Sequence, residues 1–398
     1  YGIIGISNMY FSIGIVTMKV ITLNSFINLF HNKDDKIYTT KHLIENAQIR
    51  TGTKLKPLSQ YMKDRNISKS TLQLLCDNIN NRDEYLTRFY NLSLKINTDM
   101  LCISEAGILP MKNREMNNNQ SIVFKNIIRN LHMFDILQNT KSGIDNVPTF
   151  FDMLFDLYLH NIIDYKLVTP SASHYIKKGR IGSVFSSYYF RASIMNPYLV
   201  YSLNQTVLFG KRIFSPTLGW SSYCYGFLES SYVTEYVGTD VIPSVCSKTK
   251  EFADIYRKDV DIYCKPSEDL YKDVKFMKSY KNHFDVVFFS PPYYELELYN
   301  SKNQSTDRYK TYESWLSGYW EQTIRLCHDV LENKGKLCYI LSGYGSQQGN
   351  KRFDLLKDMN NITKKYFRLI SIQPMYNKNV HVTTHRETGE QIMLFVKK

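Results

Sequence analysis

The sequence predicts an α/β protein in which residues 194–398 form a doubly wound, mostly parallel sheet closed by an antiparallel hairpin. Short apolar runs alternate with helical stretches over this part of the chain, which is typical of repeated strand–helix–strand units. The last two apolar runs are separated by a polar, glycine-containing loop, which indicates a hairpin at the sheet edge. Before about residue 149 the chain is mainly helical, with connections rich in Asn and Lys. We therefore expect a helical N-terminal region followed by a sheet domain.

The apolar residues place the predicted elements of the sheet domain along the chain. Five runs predict its parallel strands, namely 212–214, 235–238, 261–264, 285–289 and 336–341. The hairpin is predicted from the last two runs, 366–375 and 391–396. A stripe at helical spacing predicts a helix that contributes core rather than ligand contacts, and its members are Trp315, Tyr319, Ile324, Cys327 and Leu331.

Four segments are expected along the chain. Residues 1–17 are apolar but interrupted by polar side chains and precede Met18, so we interpret them as a leader or extension. Residues 18–149 form the helical region, 150–193 connect it to the sheet, and 194–398 form the sheet domain. Val147-Pro148 supports the boundary between residues 149 and 150, because the residue before a proline disfavours the helical conformation.

The composition restricts the partners and the compartment. The 398 residues include 50 basic and 37 acidic side chains, a net charge of +13, which favours a polyanionic partner such as DNA or RNA. Seven scattered cysteines without a C-x-x-C pair argue against a zinc site and favour a reducing, intracellular compartment. No segment after the leader is apolar enough to predict a membrane span. The abundance of Asn, Lys and Tyr is typical of AT-rich genomes, including viral ones.

The most informative motif follows the predicted strand 285–289 directly and reads Ser290-Pro291-Pro292-Tyr293. Two prolines end a strand abruptly and stiffen the chain, at the sheet edge where open α/β folds bind their ligands. A turn with a packing tyrosine is the purely structural alternative. The motif resembles that of the S-adenosylmethionine-dependent amino-methyltransferases, which methylate exocyclic amines of adenine or cytosine. This resemblance implies a class I methyltransferase (Rossmann-like) fold over residues 194–398.

The resemblance also implies roles for the four residues. An exocyclic amine is a poor nucleophile, so the enzyme must accept hydrogen bonds from it, through the Ser290 hydroxyl and the Pro291 carbonyl. Pro292 stiffens the turn, and Tyr293 offers a flat face on which an extruded base stacks. Tyr294 is expected to form a second wall of the pocket. Methyl transfer is then direct and requires no metal.

A glycine turn after the first predicted strand resembles the cofactor turn of this family. The expected cofactor-binding residues of this turn are Ser215, Pro216, Thr217, Gly219 and Trp220. Such a turn brings backbone N–H groups and a helix start to the ligand. Two residues differ from the family pattern, because Ser215 replaces the usual acid and Ser221 replaces a common second glycine.

The next two strands end in further candidate cofactor ligands. Asp240 follows the second strand, where a carboxylate can accept both ribose hydroxyls, and this placement favours the ribose role over the alternative of a cap on the next helix. Asp269 and Ser267 follow the third strand and are expected to contact the adenine amine. A helix cap by Ser267 explains these residues almost as well.

Residues 58–75 fit the spacing of a helix-turn-helix. Asn66 would take the left-handed turn position and Ser68 would cap the second helix. Lys69, Ser70 and Gln73 would then face a major groove, with an ordinary helical hairpin as the alternative.

A second basic segment lies after the catalytic motif, in the polar stretch 299–310. Its basic residues Lys302, Arg308 and Lys310 are candidate phosphate contacts. A surface loop with no ligand is the alternative.

These features together predict methyl transfer from S-adenosylmethionine to an exocyclic amine of a DNA base. Ser290 favours cytosine N4 slightly over adenine N6, since serine is commoner in that position among the cytosine-specific members of the family. One alternative is an RNA or protein amine methyltransferase. Another is a catalytically silent nucleic-acid-binding or assembly module, which Ser215 favours.

Overall fold

The structure, a computed structural model, describes residues 9–13, 16–32, 37–97, 100–143, 148–189, 192–342, 347–348, 351–375 and 389–398. Its helices are α1 (Leu23–Asn28), α2 (Thr40–Asn46), α3 (Leu58–Arg65), α4 (Lys69–Asn80), α5 (Arg82–Ser93), α6 (Val123–Leu131), α7 (Met133–Leu137), α8 (Phe150–Leu159), α9 (Pro170–Ile176), α10 (Ile181–Tyr188), α11 (Pro197–Leu203), α12 (Ser222–Leu228), α13 (Pro243–Ala253), α14 (Ser267–Leu270), α15 (Val274–Tyr280), α16 (Ser305–Arg308), α17 (Tyr312–Trp315), α18 (Glu321–Val330) and α19 (Leu355–Tyr366). Its strands are β1 (Met9–Ile13), β2 (Val16–Val20), β3 (Gln48–Thr51), β4 (Lys54–Pro57), β5 (Thr140–Ser142), β6 (Ile162–Asp164), β7 (Arg212–Ser215), β8 (Glu235–Asp240), β9 (Asp259–Cys264), β10 (Phe284–Phe289), β11 (Glu297–Tyr299), β12 (Leu331–Ser342), β13 (Gln347–Gln348), β14 (Lys351–Arg352), β15 (Phe367–Pro374) and β16 (Glu390–Lys397).

A seven-stranded sheet has the order β15-β16-β12-β10-β7-β8-β9. Its strands β7, β8, β9, β10 and β12 pair in parallel, whereas β16 runs antiparallel to both β12 and β15. This strand order, with an antiparallel strand inserted beside the last parallel one, is that of class I methyltransferases and confirms the predicted fold class. The direction of winding reverses between β7 and β10. Open α/β sheets bind their ligands at such a switch point, and both candidate motifs follow these two strands.

The central strands β10 and β12 are buried on both faces over residues 286–289 and 337–341, as is usual in parallel sheets, whereas the edge strands β9 and β15 are partly exposed. Consecutive residues of β10 and β12 are fully buried, among them Phe288 and Cys338. The predicted core stripe is confirmed, because Trp315, Tyr319, Ile324, Cys327 and Leu331 are all buried. The predicted hairpin is formed by β15 and β16, and the loop residues 376–388 lie outside the described residues.

Beyond its first 18 residues the chain divides into two compact units that do not follow the predicted contiguous boundaries. The unit that we call the sheet unit contains residues 96–132 and 193–398. The second, the helical unit, contains residues 19–95 and 133–192. The segment 150–193, expected to be a connection, instead carries α8, β6, α9 and α10 with a buried apolar interior. Its amphipathic pattern therefore reflects packing within the helical unit.

The helical unit contains the predicted helix-turn-helix geometry. Helix α3 ends at Asn66, which has the left-handed conformation with φ of 52°. The hydroxyl of Ser68 caps α4 by accepting a hydrogen bond from the Thr71 N–H at 3.2 Å. Leu72 and Leu75 are buried, as expected for the inner face of α4. A small sheet of order β4-β3-β6 precedes and supports this motif, since β4 runs directly into α3.

Four further observations concern the chain as a whole. Strands β1 and β2 pair within and just after the expected extension, of which residues 1–8 and 14–15 lie outside the described residues. All seven cysteines are free thiols. Within the described ranges, no helix is both long and apolar enough to cross a bilayer. In the same ranges, His, Cys, Asp and Glu side chains form no group of three suited to hold a metal ion.

Candidate active site

The first strand of the sheet unit leads into a tight turn that we call the cofactor turn, residues 215–221. Three consecutive residues in it have positive φ, namely Gly219 (53°), Trp220 (59°) and Ser221 (69°). Such a conformation is unfavourable for residues with a side chain, by about 1–2 kcal/mol each. Contacts with neighbouring residues must therefore stabilise this turn.

Gly219 lies against the ring of Tyr223, which is in the first turn of helix α12. A Cβ atom added to Gly219 would stand 2.2 Å from the Tyr223 Cζ, so no larger residue fits without rearrangement. Tyr223 is buried, and its hydroxyl accepts a hydrogen bond from the Ser290 N–H at 3.1 Å. One side chain thus touches both the cofactor turn and the first residue of the Ser-Pro-Pro-Tyr corner.

A direct hydrogen bond also joins the two motifs. The Thr217 hydroxyl donates to the carbonyl oxygen of Ser290 at 3.3 Å. The structure therefore brings together the turns after β7 and β10, which pair in parallel and end at the same sheet edge. Both lie at the point where the winding of the sheet reverses.

Asp240 occupies the carboxyl end of β8 and anchors the cofactor turn. Its Oδ2 accepts a hydrogen bond from the Leu218 N–H at 3.1 Å. Its Oδ1 accepts from the N–H groups of Val241 at 2.8 Å and Ile242 at 3.2 Å. A carboxylate oxygen can accept more than one hydrogen bond, and these three contacts orient the Asp240 carboxylate beside the turn.

Ser290 is held in the orientation that an acceptor role requires. Its hydroxyl donates its single proton to the Ile340 carbonyl on β12 at 3.0 Å. Because this proton is donated to Ile340, the hydroxyl can interact with a further partner only as an acceptor, through its oxygen lone pairs. Pro291 is buried and Pro292 is half-buried, so the first proline is packed while the second lies nearer the surface.

The ring of Tyr293 is fixed at its hydroxyl end. The Ser342 N–H, at the end of β12, donates a hydrogen bond to the Tyr293 hydroxyl at 2.6 Å. Burial and the nearby Glu390 carboxylate raise the pKa of the Tyr293 phenol well above its ordinary value. The phenol therefore stays neutral, and the half-buried ring is held in one position by β12.

Glu390 and Lys125 form a charged group behind this corner that the sequence analysis missed. Glu390 pairs with Ser342 in the β12–β16 register. Burial raises the pKa of the Glu390 carboxyl, and the ammonium of Lys125 on α6 opposes that shift. Burial also lowers the pKa of Lys125, to about 8. The only sequence signal was the mixed polar and apolar pattern of α6, which equally predicts an exposed helix.

The residues after β9 are engaged with one another. Ser267 is buried, and its Oγ lies 2.9 Å from Thr323 Oγ1 on α18. Arg308 contacts two neighbouring carboxylates, Glu268 at 2.8 Å and Asp269 at 2.7 Å. Burial raises the pKa of the Glu268 carboxyl to about 7, against the influence of Arg308. Arg308 therefore has carboxylate partners where the sequence analysis expected a phosphate, because α16 folds back onto α14. The predicted adenine contacts of Ser267 and Asp269 remain predictions.

The other residues of the polar stretch behave differently from one another. Lys302 is exposed. Lys310 is exposed and lies 3.1 Å from Asp307, its neighbour across one helical turn. Tyr294, expected as a pocket wall, is instead fully buried and donates to the Lys310 carbonyl at 3.0 Å. It packs against Tyr312, Trp315 and Phe353, so that expectation was wrong.

Trp220 and Tyr299 add aromatic faces beside the cofactor turn. Their ring centroids are 5.8 Å apart in an edge-to-face arrangement. The Tyr299 hydroxyl donates to Glu297 at 2.9 Å. Burial and Glu297 raise the pKa of the Tyr299 phenol well above its ordinary value. The cofactor turn is thus bordered by neutral aromatic rings and by the carboxylates of Asp240 and Glu297.

Ser215 is the least accessible of the predicted cofactor ligands. It is fully buried at the end of β7, beneath the turn. Pro216 and Thr217 follow it within the turn, and Trp220 is 7% exposed. The buried position explains why a small neutral residue is tolerated there, because an unpaired carboxylate would be costly in it.

The helical unit holds the remaining predicted ligands. Lys69, Ser70 and Gln73 are all exposed on α4, as the helix-turn-helix interpretation requires. Gln73 also contacts Thr40 and donates to Asp77 at 2.8 Å, so part of its hydrogen-bonding capacity is used internally. Lys69 and Ser70 lie in the first turn of α4 beside the Ser68 cap.

Comparisons with known proteins find similarity only in structure, since neither a family model nor a curated protein matches the chain. One similar structure is the N-methyltransferase NodS from Bradyrhizobium japonicum WM9 in complex with S-adenosyl-l-homocysteine. It is 9% identical, with 50% of this chain and 83% of NodS covered and a TM-score of 0.34. TrmN from Thermus thermophilus is 11% identical, with 51% of this chain and 49% of TrmN covered and a TM-score of 0.34.

A third similar structure is the PH0226 protein from Pyrococcus horikoshii OT3. It is 14% identical, with 48% of this chain and 82% of that chain covered and a TM-score of 0.32. Each of the three alignments extends over only about half of this chain.

Proposed function

We propose that this chain transfers a methyl group from S-adenosylmethionine to an exocyclic amine of a DNA base after the base has been extruded from the duplex. Cytosine N4 and adenine N6 are the two candidate acceptors, with a slight preference for cytosine N4. The proposal rests chiefly on the orientation of Ser290, whose hydroxyl proton is committed to Ile340.

That orientation suits an amine because an amine approaches with its N–H groups as donors. A Ser290 oxygen with free lone pairs accepts one of them and increases the electron density on nitrogen. The prolines hold this acceptor before the substrate arrives, and the fixed ring of Tyr293 provides a stacking surface for an extruded base. The nitrogen can then attack a methyl group directly and lose its proton afterwards, without a covalent enzyme intermediate.

The residues around the cofactor turn fit S-adenosylmethionine, which would supply an electrophilic methyl group on a positively charged sulfur. Asp240 is oriented by three backbone N–H groups at the carboxyl end of β8, where a carboxylate is suited to ribose hydroxyls. The faces of Trp220 and Tyr299 offer favourable surroundings for a cation. Gly219 allows the positive φ of the turn and the close approach of the Tyr223 ring.

Duplex DNA as the substrate is supported by the helical unit. Its residues 48–69 carry six basic side chains and one acidic one. Five of the basic side chains are exposed, on the hairpin strand β4 and around the turn between α3 and α4, and they are Lys54, Lys56, Lys63, Arg65 and Lys69. Exposed cations beside a helix-turn-helix are suited to phosphates, while α4 supplies the polar side chains that contact base edges.

This surface makes a quantitative prediction about salt dependence. In a Lys63→Ala/Lys69→Ala double variant, the slope of log K against log salt for a DNA duplex is expected to become about 2 units shallower, because each phosphate contact contributes about 0.9. Fluorescence anisotropy over a range of salt concentrations measures the slope. Lys275→Ala/Lys278→Ala, on the exposed face of α15, is the matched control and should leave the slope unchanged. Equal slopes for both variants would remove α3 and α4 from the DNA-binding surface.

The central experiment has two stages. Isothermal calorimetry with S-adenosylhomocysteine, with and without a DNA duplex, tests cofactor binding. DNA incubated with the protein and S-adenosylmethionine is then digested, and mass analysis of the nucleosides identifies N4-methylcytosine or N6-methyladenine. If RNA or protein is methylated instead of DNA, the proposed substrate class is wrong, whereas the proposed methyltransferase activity still holds.

A second candidate function is a catalytically silent nucleic-acid-binding module. It is favoured by the fully buried Ser215, which stands where the family has an acid and which is placed beneath the cofactor turn. This candidate predicts DNA binding without measurable affinity for S-adenosylhomocysteine. The calorimetric stage therefore decides between the two.

A further inference from the structure

A buried chain of hydrogen bonds joins helix α6, the cofactor turn and helix α13. His132, which ends α6, places its Nε2 2.7 Å from the Ser221 hydroxyl. That hydroxyl lies 2.6 Å from the Thr249 hydroxyl on α13. Thr249 in turn donates to the Val245 carbonyl at 2.7 Å. All three side chains are fully buried, so solvent does not compete for these bonds.

Counting protons assigns a direction to every bond in this chain. A carbonyl can only accept, so the single hydroxyl proton of Thr249 belongs to Val245. Thr249 must then accept from Ser221, and Ser221, having used its proton, must accept from His132. His132 therefore carries a proton on Nε2.

The other ring nitrogen of His132 indicates that this residue has a role beyond packing. Its Nδ1 is buried and has no hydrogen-bond partner in the described part of the chain. Burial, together with Lys248 on α13, lowers the pKa of His132 well below its ordinary value, which keeps the ring neutral. A buried acceptor without a partner is unfavourable, so a purely packing role would be served better by an apolar residue.

We propose that His132 is a positioning residue for the cofactor turn and that it acts through Ser221. Ser221 has φ of 69° and stands where the family commonly has a second glycine. In this chain a serine holds that left-handed conformation because its hydroxyl is tied on one side to His132 and on the other to Thr249. The next residue toward the N terminus, Trp220, also contacts the imidazole ring, with centroids 6.3 Å apart. The inference rests on the proposed cofactor role of this turn.

The test compares S-adenosylhomocysteine binding and cofactor KM among three single variants. His132→Leu removes the donor and Ser221→Gly removes the acceptor. Each is expected to weaken S-adenosylhomocysteine binding about tenfold, which is the upper end of the usual contribution of one hydrogen bond. His132→Gln keeps an N–H donor at similar reach and should stay within about threefold of the parent protein. For the two His132 variants, kcat at saturating cofactor should change little, because His132 lies outside the Ser-Pro-Pro-Tyr corner.

A double variant distinguishes action through Ser221 from a general loss of packing. If His132 works through Ser221, the His132→Leu/Ser221→Gly protein binds no more weakly than the worse single variant. Additive losses, or unchanged binding by His132→Leu, would overturn the inference. If the parent protein itself does not bind S-adenosylhomocysteine, the proposed function fails instead. Melting temperatures at neutral pH identify any variant whose effect comes from incomplete folding.

The pH dependence of stability provides an independent readout. The folded-state pKa of His132 lies below the value of about 6.5 for an unfolded chain. Its contribution to stability is therefore complete above that pH and is lost as the pH falls toward the folded-state pKa. The melting temperature of the parent protein should fall more steeply below pH 6.5 than that of His132→Gln, and parallel curves would contradict the assigned neutral state.

Discussion

Replacing Tyr293 with alanine is expected to lower kcat by about a hundredfold or more, because stacking of a base on an aromatic ring contributes about 1–3 kcal/mol and also orients the base. The ring is held from β12 by the Ser342 N–H at 2.6 Å, so it offers a stacking surface at a fixed place beside Ser290. Affinity for S-adenosylhomocysteine should stay within about threefold, since the anchors of the cofactor turn are elsewhere. Single-turnover methylation of a DNA duplex and calorimetry measure the two quantities.

Tyr293→Phe is the matched control for this substitution. It retains the stacking face and loses only the hydroxyl that accepts from Ser342. We expect a reduction of about fivefold in kcat, since one hydrogen bond contributes about 1 kcal/mol. If Tyr293→Ala loses cofactor binding together with activity, the ring supports the architecture of the site rather than the substrate. Equal reductions in kcat for Tyr293→Ala and Tyr293→Phe would likewise show that the ring does not act by stacking on the base.

Replacing Asp240 with alanine is expected to weaken S-adenosylhomocysteine binding by about a hundredfold or more. Two charge-assisted hydrogen bonds to ribose hydroxyls would be lost, each contributing about 1.5–3 kcal/mol. In addition, the Leu218, Val241 and Ile242 N–H groups would lose their acceptor, which loosens the cofactor turn. Calorimetry at constant pH measures the affinity, and circular dichroism melting records the accompanying loss of stability.

Asp273→Ala is a suitable control for the Asp240 substitution. The Asp273 carboxylate also accepts from a backbone N–H, that of Phe276 at 3.1 Å, and caps α15 instead of holding the cofactor turn. The control should lower stability modestly, by about 1 kcal/mol, and leave cofactor affinity unchanged. A loss of stability in Asp240→Ala with normal affinity would show that Asp240 only anchors the turn.

Local features of this protein were predictable because neighbouring residues determine them. Asn66 tolerates the left-handed conformation, Ser68 provides a cap, and Gly219 permits a positive φ. The apolar runs that became β7, β8, β10 and β12 were recognisable for the same reason, since a strand segment buried on both faces is apolar, whereas β9 is a partly exposed edge strand. Chain order then brought the motifs to one edge of the sheet, because parallel strands end together.

Contacts between distant residues were not predictable in this way. Arg308 had every sequence property of a phosphate ligand, yet α16 brings it to Glu268 and Asp269. Tyr294 followed the catalytic corner as an apparent pocket wall, yet it is buried among Tyr312, Trp315 and Phe353. In both cases the partner lies in another element, and no local pattern specifies which element that will be.

By itself the sequence determined the fold class, the order of the strands along the chain and the presence of a rigid polar-proline-aromatic corner, because these depend on periodicity and on backbone restrictions of single residues. Only the tertiary structure decided that residues 96–132 belong to the sheet unit and that α6 ends in His132 beneath the cofactor turn. It also decided that Tyr223 lies between Gly219 and Ser290. Such arrangements follow from the packing of buried side chains, which is a property of the whole folded chain.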